Sequence, residues 1–153
     1  SEEQERLIAS GEFLPGYMWP VNGWIASALG LHVIKRTQKA EATTYAKDLY
    51  SKTLQKTIPA GDATGLKTTV TFETEEGIDI VTECIGKVFA PEEKDVNEWI
   101  IDGEPYMRCV MEAPATVEMT CACAVNRLPD IIAAKPGYVT SEKMADLKLH
   151  RVL

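Results

Sequence analysis

The chain has 153 residues, of which 45% are hydrophobic and 25% are charged. These values are typical of one ordinary globular domain. The 23 acidic residues outnumber the 16 basic ones, which gives a net charge of −7. Because nucleic acids and anionic membranes attract basic surfaces, we expect neither as a partner. No apolar run reaches the roughly 18 residues of a transmembrane helix, and the acidic start lacks the basic region of a signal peptide, so we expect a cytoplasmic protein.

The amino-terminal part of the chain predicts two helices and a strand. A short helix over residues 2–9 precedes a helix that begins near Pro20 and ends at Gly30. Proline is favoured in the first turn of a helix and glycine just after the last turn. Alternating residues from 31 to 44 predict a long, half-exposed strand. Residues 47–55 are polar and predict either a loop or a short helix.

The middle of the chain alternates between apolar and polar residues, which is typical of strands. Residues 66–72 predict a first strand, and residues 75–77 a tight turn into a second strand that reaches residue 89. Residues 99–111 predict a second hairpin around the sequence Asp-Gly. The inward face of the first strand comprises Leu66, Thr68, Val70 and Phe72.

A run of small and apolar residues follows from 115 to 134 and predicts a long buried helix. Pro129 lies inside this run and is expected to kink or interrupt the helix, since proline has no amide hydrogen to donate. The strands of the chain follow one another instead of alternating with helices, which predicts the α+β class.

We therefore expect one α+β domain over residues 1–153. Its mostly antiparallel or mixed sheet would have four to six strands, with helices packed on one face. The other face is rich in Thr, Glu and Lys, and is either solvated or covered by a second subunit. Cover by a second subunit predicts a homodimer or a higher homo-oligomer.

The four cysteines do not form a C-x-x-C motif. They are Cys84, Cys109, Cys121 and Cys123, and they lie in apolar contexts. Only two histidines accompany them, so a zinc site has little support. We predict reduced, packed thiols and no bound metal, with a disulfide or a zinc site as the less favoured alternatives.

The sequence contains neither G-x-G-x-x-G nor G-x-x-x-x-G-K-[ST], the phosphate-binding turns of nucleotide enzymes. We therefore expect no cofactor to be bound by this chain alone. A nucleophile elbow and the H-E-x-x-H zinc motif do not occur in the sequence either. The sequence assigns no catalytic residue.

An aromatic segment over residues 17–24 is the first candidate for a binding pocket. Tyr17, Trp19 and Asn22 place rings and an amide next to a helix start, where such groups can line an apolar pocket with few polar contacts. The alternative is that the tryptophans fill the core between helix and sheet.

The second candidate set lies at the other end of the chain. Glu118 and Asn126 interrupt an apolar helix at a spacing of two turns, and a buried polar group requires a partner. Glu118 would otherwise face solvent, and Asn126 would otherwise satisfy backbone groups near Pro129. Tyr138 follows the helix and either closes a cleft or anchors a loop.

Several short motifs occur in these same regions. Residues 126–131 read Asn-Arg-Leu-Pro-Asp-Ile after a helix of small residues, and residues 134–140 read Ala-Lys-Pro-Gly-Tyr-Val-Thr. Residues 16–20 read Gly-Tyr-Met-Trp-Pro, and residues 101–105 read Ile-Asp-Gly-Glu-Pro. Together they resemble the second domain of the dihydrodipicolinate-reductase-like amine dehydrogenases, the family that contains 2,4-diaminopentanoate dehydrogenase.

The resemblance implies a substrate-binding and oligomerisation domain of an NAD(P)H-dependent dehydrogenase or reductase that acts on a small amino or keto compound. The family's Rossmann domain, which would supply the NAD(P)H and the general acid/base carboxylate, has no counterpart in this sequence. The resemblance therefore carries over no catalytic residue. It implies that Tyr17, Trp19 and Asn126 line the substrate pocket, and that Tyr138 and Thr140 lie in the segment that returns toward the cofactor.

Two other interpretations stay open. The chain is alternatively a stand-alone protein that binds a small molecule, or a cofactor-free isomerase or cyclase, which kept the pocket and lost the nucleotide domain. A third interpretation is a module that serves only for dimerisation. Whether the chain is an enzyme by itself is therefore left open by its sequence.

Overall fold

The computed structural model describes residues 2, 6, 18–140, 143 and 144. Apart from residues 2 and 6, the helix predicted over residues 2–9 lies outside them. The helices are α1 (Met18–Leu29) and α2 (Thr116–Ala133), and the strands are β1 (Val33–Thr44), β2 (Leu49–Ser51), β3 (Lys56–Ile58), β4 (Ala63–Thr74), β5 (Ile80–Lys87), β6 (Val96–Ile101) and β7 (Met107–Glu112). All described strand pairs are antiparallel, which confirms the α+β class.

The chain divides into two compact units, Ser1–Pro91 and Glu92–Leu153. The first unit contains α1 and β1 to β5, and the second contains β6, β7 and α2. The organisation of residues 1–153 as a single domain stays a prediction.

Helix α1 ends as its sequence predicts. Gly30 has a φ of +68°, a left-handed conformation that glycine adopts at low cost. The Gly30 amide donates to the Ser27 carbonyl at 3.2 Å, and the Leu31 amide donates to the Ala26 carbonyl at 2.9 Å. These two bonds form a Schellman cap, which satisfies carbonyls that the last turn leaves without helical partners. The chain then enters β1 directly.

Strand β4 is the centre of a three-stranded sheet in the order β1-β4-β5. Its residues alternate between buried and half-buried along its whole length, as a strand with one covered face requires. Helix α1 packs on the buried face, where Ala26, Val70, Phe72 and Ile80 form the core of the first unit. The alternation predicted for residues 66–72 is confirmed.

Residues 47–55 form neither a plain loop nor a short helix, so that prediction is wrong. They contain β2, which pairs with β3 in a small hairpin. Leu49 and Ser51 on β2 and Ile58 on β3 are buried, which explains why these short strands form. Because β2 and β3 pair with each other, the described ladders have three, two and two strands instead of the four to six predicted for one sheet.

In the second unit, β6 and β7 form the hairpin that the sequence predicts. The Ala113 amide donates to the Asp95 carbonyl at 2.8 Å, and the Thr116 hydroxyl donates to the Asp95 carboxylate at 2.9 Å. Asp95 therefore connects the base of the hairpin to the first turn of α2. The helix contains Pro129 and is not interrupted there.

The prediction that this last helix is buried is wrong for the described chain. No residue of α2 is buried, and Ile132 is 83% exposed. The physical reason is that an apolar repeat specifies a helix but does not supply the surface that covers it. Neither α1 nor α2 has the length and apolar character that a bilayer-spanning helix requires.

The cysteines are free thiols, but the prediction that all are packed is wrong. Cys84 on β5 is half-buried, whereas Cys109, Cys121 and Cys123 are exposed. The exposed three lie on β7 and α2, and no residue of these two elements is buried. Among the described residues, no group of His, Cys, Asp and Glu is arranged to hold a metal ion.

Candidate functional site

The residues predicted to form a pocket fall into two sets. Trp19 and Asn22 lie on α1 in the first unit. Glu118 and Asn126 lie on α2 in the second unit, and Tyr138 follows that helix. Tyr17 lies outside the described residues. A cleft shared by the two sets therefore stays a prediction, and each set is described by itself.

The Asn22 side chain is fully buried and links α1 to two strands. Its Nδ2 donates to the Val70 carbonyl at 3.2 Å and to the Ile80 carbonyl at 3.0 Å. Its Oδ1 accepts from the Thr82 hydroxyl at 2.7 Å. Both amide hydrogens and one oxygen lone pair are thus engaged. Because a buried amide must be satisfied, these contacts give Asn22 a structural role at the helix–sheet junction.

Trp19 is half-buried at the edge of the core. Its ring meets the Phe72 ring edge to face, with 5.6 Å between the centroids and 61° between the planes. The indole Nε1 donates a hydrogen bond to Gln38 Oε1 on β1. Edge-to-face contact is a favourable arrangement for two aromatic rings. Trp19 therefore has a fixed orientation while part of its surface stays accessible.

Arg36 completes this group, although no sequence pattern selects it as a site residue. It lies opposite Phe72 in the β1–β4 register, and its guanidinium carbon is 5.1 Å from the centroid of the Phe72 ring. We call Trp19, Arg36, Gln38 and Phe72 the Trp19 cluster. Only the pairing of β1 with β4 brings Arg36 to Phe72, so alternation within one strand could not have identified it.

Two lysines of β1 near Arg36 in the sequence are paired with carboxylates. Lys35 Nζ lies 2.6 Å from Glu73 Oε1, and Lys39 Nζ lies 2.7 Å from Glu41 Oε1. Hydrogen bonding to these carboxylates raises the pKa of Lys35 and lowers the pKa of Glu41. Among the residues that the structure describes, Arg36 forms no such ion pair, and its observed contact is with the Phe72 ring.

The second set is arranged differently. Glu118 is exposed in the first turn of α2, a favourable position for an acidic side chain relative to the helix dipole. Asn126 is half-buried and its Nδ2 donates to the Ala122 carbonyl at 2.9 Å, one turn earlier. Tyr138 is 93% exposed. These side chains are accessible to a ligand, but the contacts given for the described residues do not join the three of them into one site.

A cavity of about 330 Å³ lies elsewhere in the first unit, beside β3 and the start of β4. Its lining includes Leu54, Lys56, Ile58 and Asp62. None of the residues predicted for the pocket lines it. The Trp19 cluster contains a residue predicted for the pocket and is the candidate binding surface of the first unit.

The chain matches the family model of the 2,4-diaminopentanoate dehydrogenase C-terminal domain over residues 18–153. The chain therefore belongs to this family. The match extends from the first residue of α1 through both units. It confirms the resemblance that the motifs at residues 16–20, 101–105, 126–131 and 134–140 suggested.

Comparison with a solved structure is consistent with this family membership. The fold is similar to that of the amine dehydrogenase from Mycobacterium smegmatis, with a TM-score of 0.74 and 34% sequence identity. The alignment covers 82% of this chain and 37% of that enzyme's chain. This chain thus spans well under half the length of that relative. No curated protein sequence matches the chain significantly.

Proposed function

We propose that this chain is the substrate-binding and oligomerisation part of an NAD(P)H-dependent amine dehydrogenase that acts on a small amino or keto compound. The observation that carries the proposal is the Trp19 cluster in a chain of this family. A half-buried indole with a hydrogen-bonded orientation offers one wall for a small molecule. Apolar walls with a few polar groups are the usual construction of such sites.

The residues of this chain do not fit the phosphates of a dinucleotide, because its sequence has no glycine-rich turn leading into a helix. We therefore assign dinucleotide binding to a part of the enzyme outside this chain. The role proposed for the chain's own residues is to hold the substrate, orient it and exclude water. Excluding water strengthens the polar contacts that fix the orientation.

The proposal is tested by replacing Trp19 in the complete enzyme. A tryptophan that only fills a core costs roughly 3–5 kcal/mol of folding free energy when changed to alanine. Since Trp19 is only half-buried, we expect Trp19→Ala to lower the free energy of unfolding by about 1–2 kcal/mol. The same variant is expected to lower kcat/KM at least about 10-fold, which corresponds to 1.4 kcal/mol of transition-state binding.

Trp24 supplies the matched control because it lies on the same helix and is 44% exposed. Trp24→Ala should alter stability to a similar or smaller extent and leave kcat/KM nearly unchanged. Trp19→Phe keeps an aromatic wall and removes the bond to Gln38, so it should retain part of the activity. A large loss of stability in Trp19→Ala with unchanged kcat/KM would remove Trp19 from the site.

We further propose that the face of the three-stranded sheet opposite α1 forms a two-fold homodimer interface. Thr69 and Thr71 of β4 are half-buried on this face, and Val81 and Ile85 of β5 are 57% and 47% exposed. The strand register places Val81 opposite Thr71. Thr-rich surface mixed with apolar side chains is suited to self-complementary packing around a two-fold axis.

Sedimentation or light scattering tests this interface. Val81→Glu would place two carboxylates near each other across the axis, so we expect a shift from dimer to monomer. Ile78→Glu in the turn before β5 is the control, because Ile78 is 50% exposed but lies outside the strand face. A wild-type protein that is monomeric at tens of micromolar would refute the dimer.

A further inference from the structure

The cavity beside β3 and the start of β4 has no role in the proposed function. Its volume of about 330 Å³ is at the lower end of the range for small-molecule sites, so it suits a small ligand. No residue of the Trp19 cluster lines it. The cavity therefore gives the first unit a second, separate place where a molecule can bind.

Hydrogen bonds hold the walls of this cavity in place. The Leu54 amide donates to the Ser51 hydroxyl at 3.2 Å, which fixes the turn between β2 and β3. In the loop between β3 and β4, the Asp62 amide donates to the Pro59 carbonyl at 3.1 Å. Because walls that are already ordered lose little conformational entropy when a ligand binds, the cavity is suited to a ligand that makes few contacts.

The lining combines aliphatic surface with two opposite charges. Leu54, Ile58 and Pro59 contribute the aliphatic part, and Lys56 and Asp62 contribute an ammonium and a carboxylate group. The lysines of β1 and β4 pair with glutamates. Within the described part of the chain, by contrast, neither Lys56 nor Asp62 belongs to an ion pair. The two charges of the cavity therefore do not neutralise each other.

These two charges define the kind of ligand that the cavity suits. Lys56 would attract a simple anion and Asp62 would repel it, while a simple cation would meet the opposite forces. A molecule that carries both charges satisfies both side chains at once. We propose that the cavity is a second site, which binds a small zwitterion with an aliphatic side chain. This inference goes beyond the proposed function, because the site shares no residue with the Trp19 cluster and its ligand does not react there. A groove that holds only solvent is the competing explanation.

Three compounds with the same branched carbon skeleton separate the contributions of the charges. L-leucine carries both charges, 4-methylpentanoate lacks the ammonium group, and 3-methylbutylamine lacks the carboxylate. Each compound is titrated calorimetrically into the complete enzyme without a nicotinamide cofactor, so that no turnover occurs. L-leucine should bind at least about 10-fold more tightly than either analogue, because each analogue leaves one charged side chain of the cavity without a partner.

Variants of the lining then locate the bound L-leucine. Lys56→Gln and Asp62→Asn should each weaken its binding by about 10-fold, the lower end for a hydrogen bond to a charged group, since both side chains are exposed. Lys52→Gln is the matched control, because Lys52 is also exposed, lies in the turn between β2 and β3, and does not line the cavity. Trp19→Ala should leave the affinity unchanged, because Trp19 does not line the cavity either.

Three results would overturn the inference. Binding that Trp19→Ala abolishes and Lys56→Gln leaves intact would place L-leucine in the Trp19 cluster. Equally tight binding of either analogue would remove the requirement for both charges. Absence of binding at about 10 mM L-leucine, well above a dissociation constant of about 1 mM, would show that the cavity holds only solvent. Each of these results leaves the proposed function standing, because that function is tested by turnover.

Discussion

The two units use similar apolar residues with opposite results. In the first unit, β4 buries every second residue, and Val70 is fully buried beneath α1. In the second unit, none of the residues described between 92 and 144 is buried. Even the apolar residues Val117 and Val125 of α2 are 72% and 62% exposed. Within the described part of the chain, the first unit contains its own covering layer, whereas the second presents apolar side chains without one.

This difference shows that the local pattern that specifies a helix or strand is distinct from the packing that stabilises it. Local hydrogen bonds define β6, β7 and α2 in the second unit, whereas a lone hairpin or an uncovered helix is only marginally stable in water. Exposed apolar surface is a frequent feature of sites that another protein surface covers. Consistently, the chain covers only 37% of the related amine dehydrogenase. The first unit should therefore be sensitive to changes in its core, and the second should tolerate comparable changes.

The strongest test compares the two asparagines that lie on helices. Asn22→Ala removes the partner of the Val70 and Ile80 carbonyls and of the Thr82 hydroxyl. Buried groups left without partners should lower the free energy of unfolding by about 3 kcal/mol, as measured by urea denaturation. Asn126→Ala removes the bond to the Ala122 carbonyl on a helix without buried residues, where water replaces lost partners, and should cost less than about 0.5 kcal/mol.

Similar losses in both variants would show that the second unit is as tightly packed as the first. Thr82→Val gives an intermediate case, because it removes only the hydroxyl that donates to Asn22. It should cost about 1 kcal/mol, the typical net contribution of one hydrogen bond.

A second test concerns the close approach of β4 and β5. A Cβ added at Gly65 would lie 2.2 Å from the Gly86 carbonyl oxygen and 2.4 Å from the Lys87 Cα. Because backbone atoms cannot move aside cheaply, Gly65→Ala should lower the free energy of unfolding by about 1–3 kcal/mol. Gly86→Ala is the matched control across the same strand pair, since its Cβ would meet nothing within 4 Å. Equal stability of the two variants would mean that the strands separate without cost.

Local signals in the sequence predicted much of the fold. The end of α1 at Gly30 and the turn after β4 at Gly77 both use glycine with positive φ, a preference that a single residue reveals. The alternation of β4 was equally visible, because a long strand repeats its pattern several times. Strand β2 was missed because three residues are too few to show a period.

The features of the fold and of the candidate site that were not predicted depend on contacts between residues distant in the sequence. Asn22 was predicted for the pocket, but its bonds to β4 and β5 appear only when the helix is packed on the sheet. Arg36 was missed because its proximity to Phe72 follows from strand register. The exposure of α2 was missed because burial depends on what packs against a helix and not only on its sequence.

The smallest expected effect lies at the start of β1. His32 Nδ1 is 2.7 Å from Glu76 Oε1, and the His32 backbone amide donates to Glu76 Oε2 at 3.1 Å. The Glu75 amide donates to the His32 carbonyl at 2.9 Å. These contacts join the residue before β1 to the turn between β4 and β5, on the exposed rim of the first unit.

The pair predicts a definite pH dependence. The side-chain hydrogen bond with Glu76, aided by the charges of Glu76 and Glu75, raises the pKa of His32 above 6.5. The His32 contribution is therefore complete below about pH 6.5 and is lost as the pH rises through the raised pKa. The hydrogen bonds from His32 lower the pKa of Glu76 from 4.5 to about 2. The stabilisation contributed by Glu76 is therefore complete above about pH 4.5 and is lost as the pH falls toward 2. The stabilisation should be greatest between about pH 4.5 and 6.5.

Urea denaturation of wild type and His32→Gln at about pH 5.5 and about pH 9 measures this directly. The difference in unfolding midpoint between the two proteins should be present at the lower pH and shrink at the higher one. Lys35→Gln is the control, because Lys35 pairs with Glu73 and the pKa of Lys35 is raised from 10.5, so Lys35 keeps its charge at both pH values. A His32→Gln difference that is the same at both pH values would show that the imidazolium contributes nothing, and that the backbone bonds of His32 and Glu75 alone hold the turn against β1.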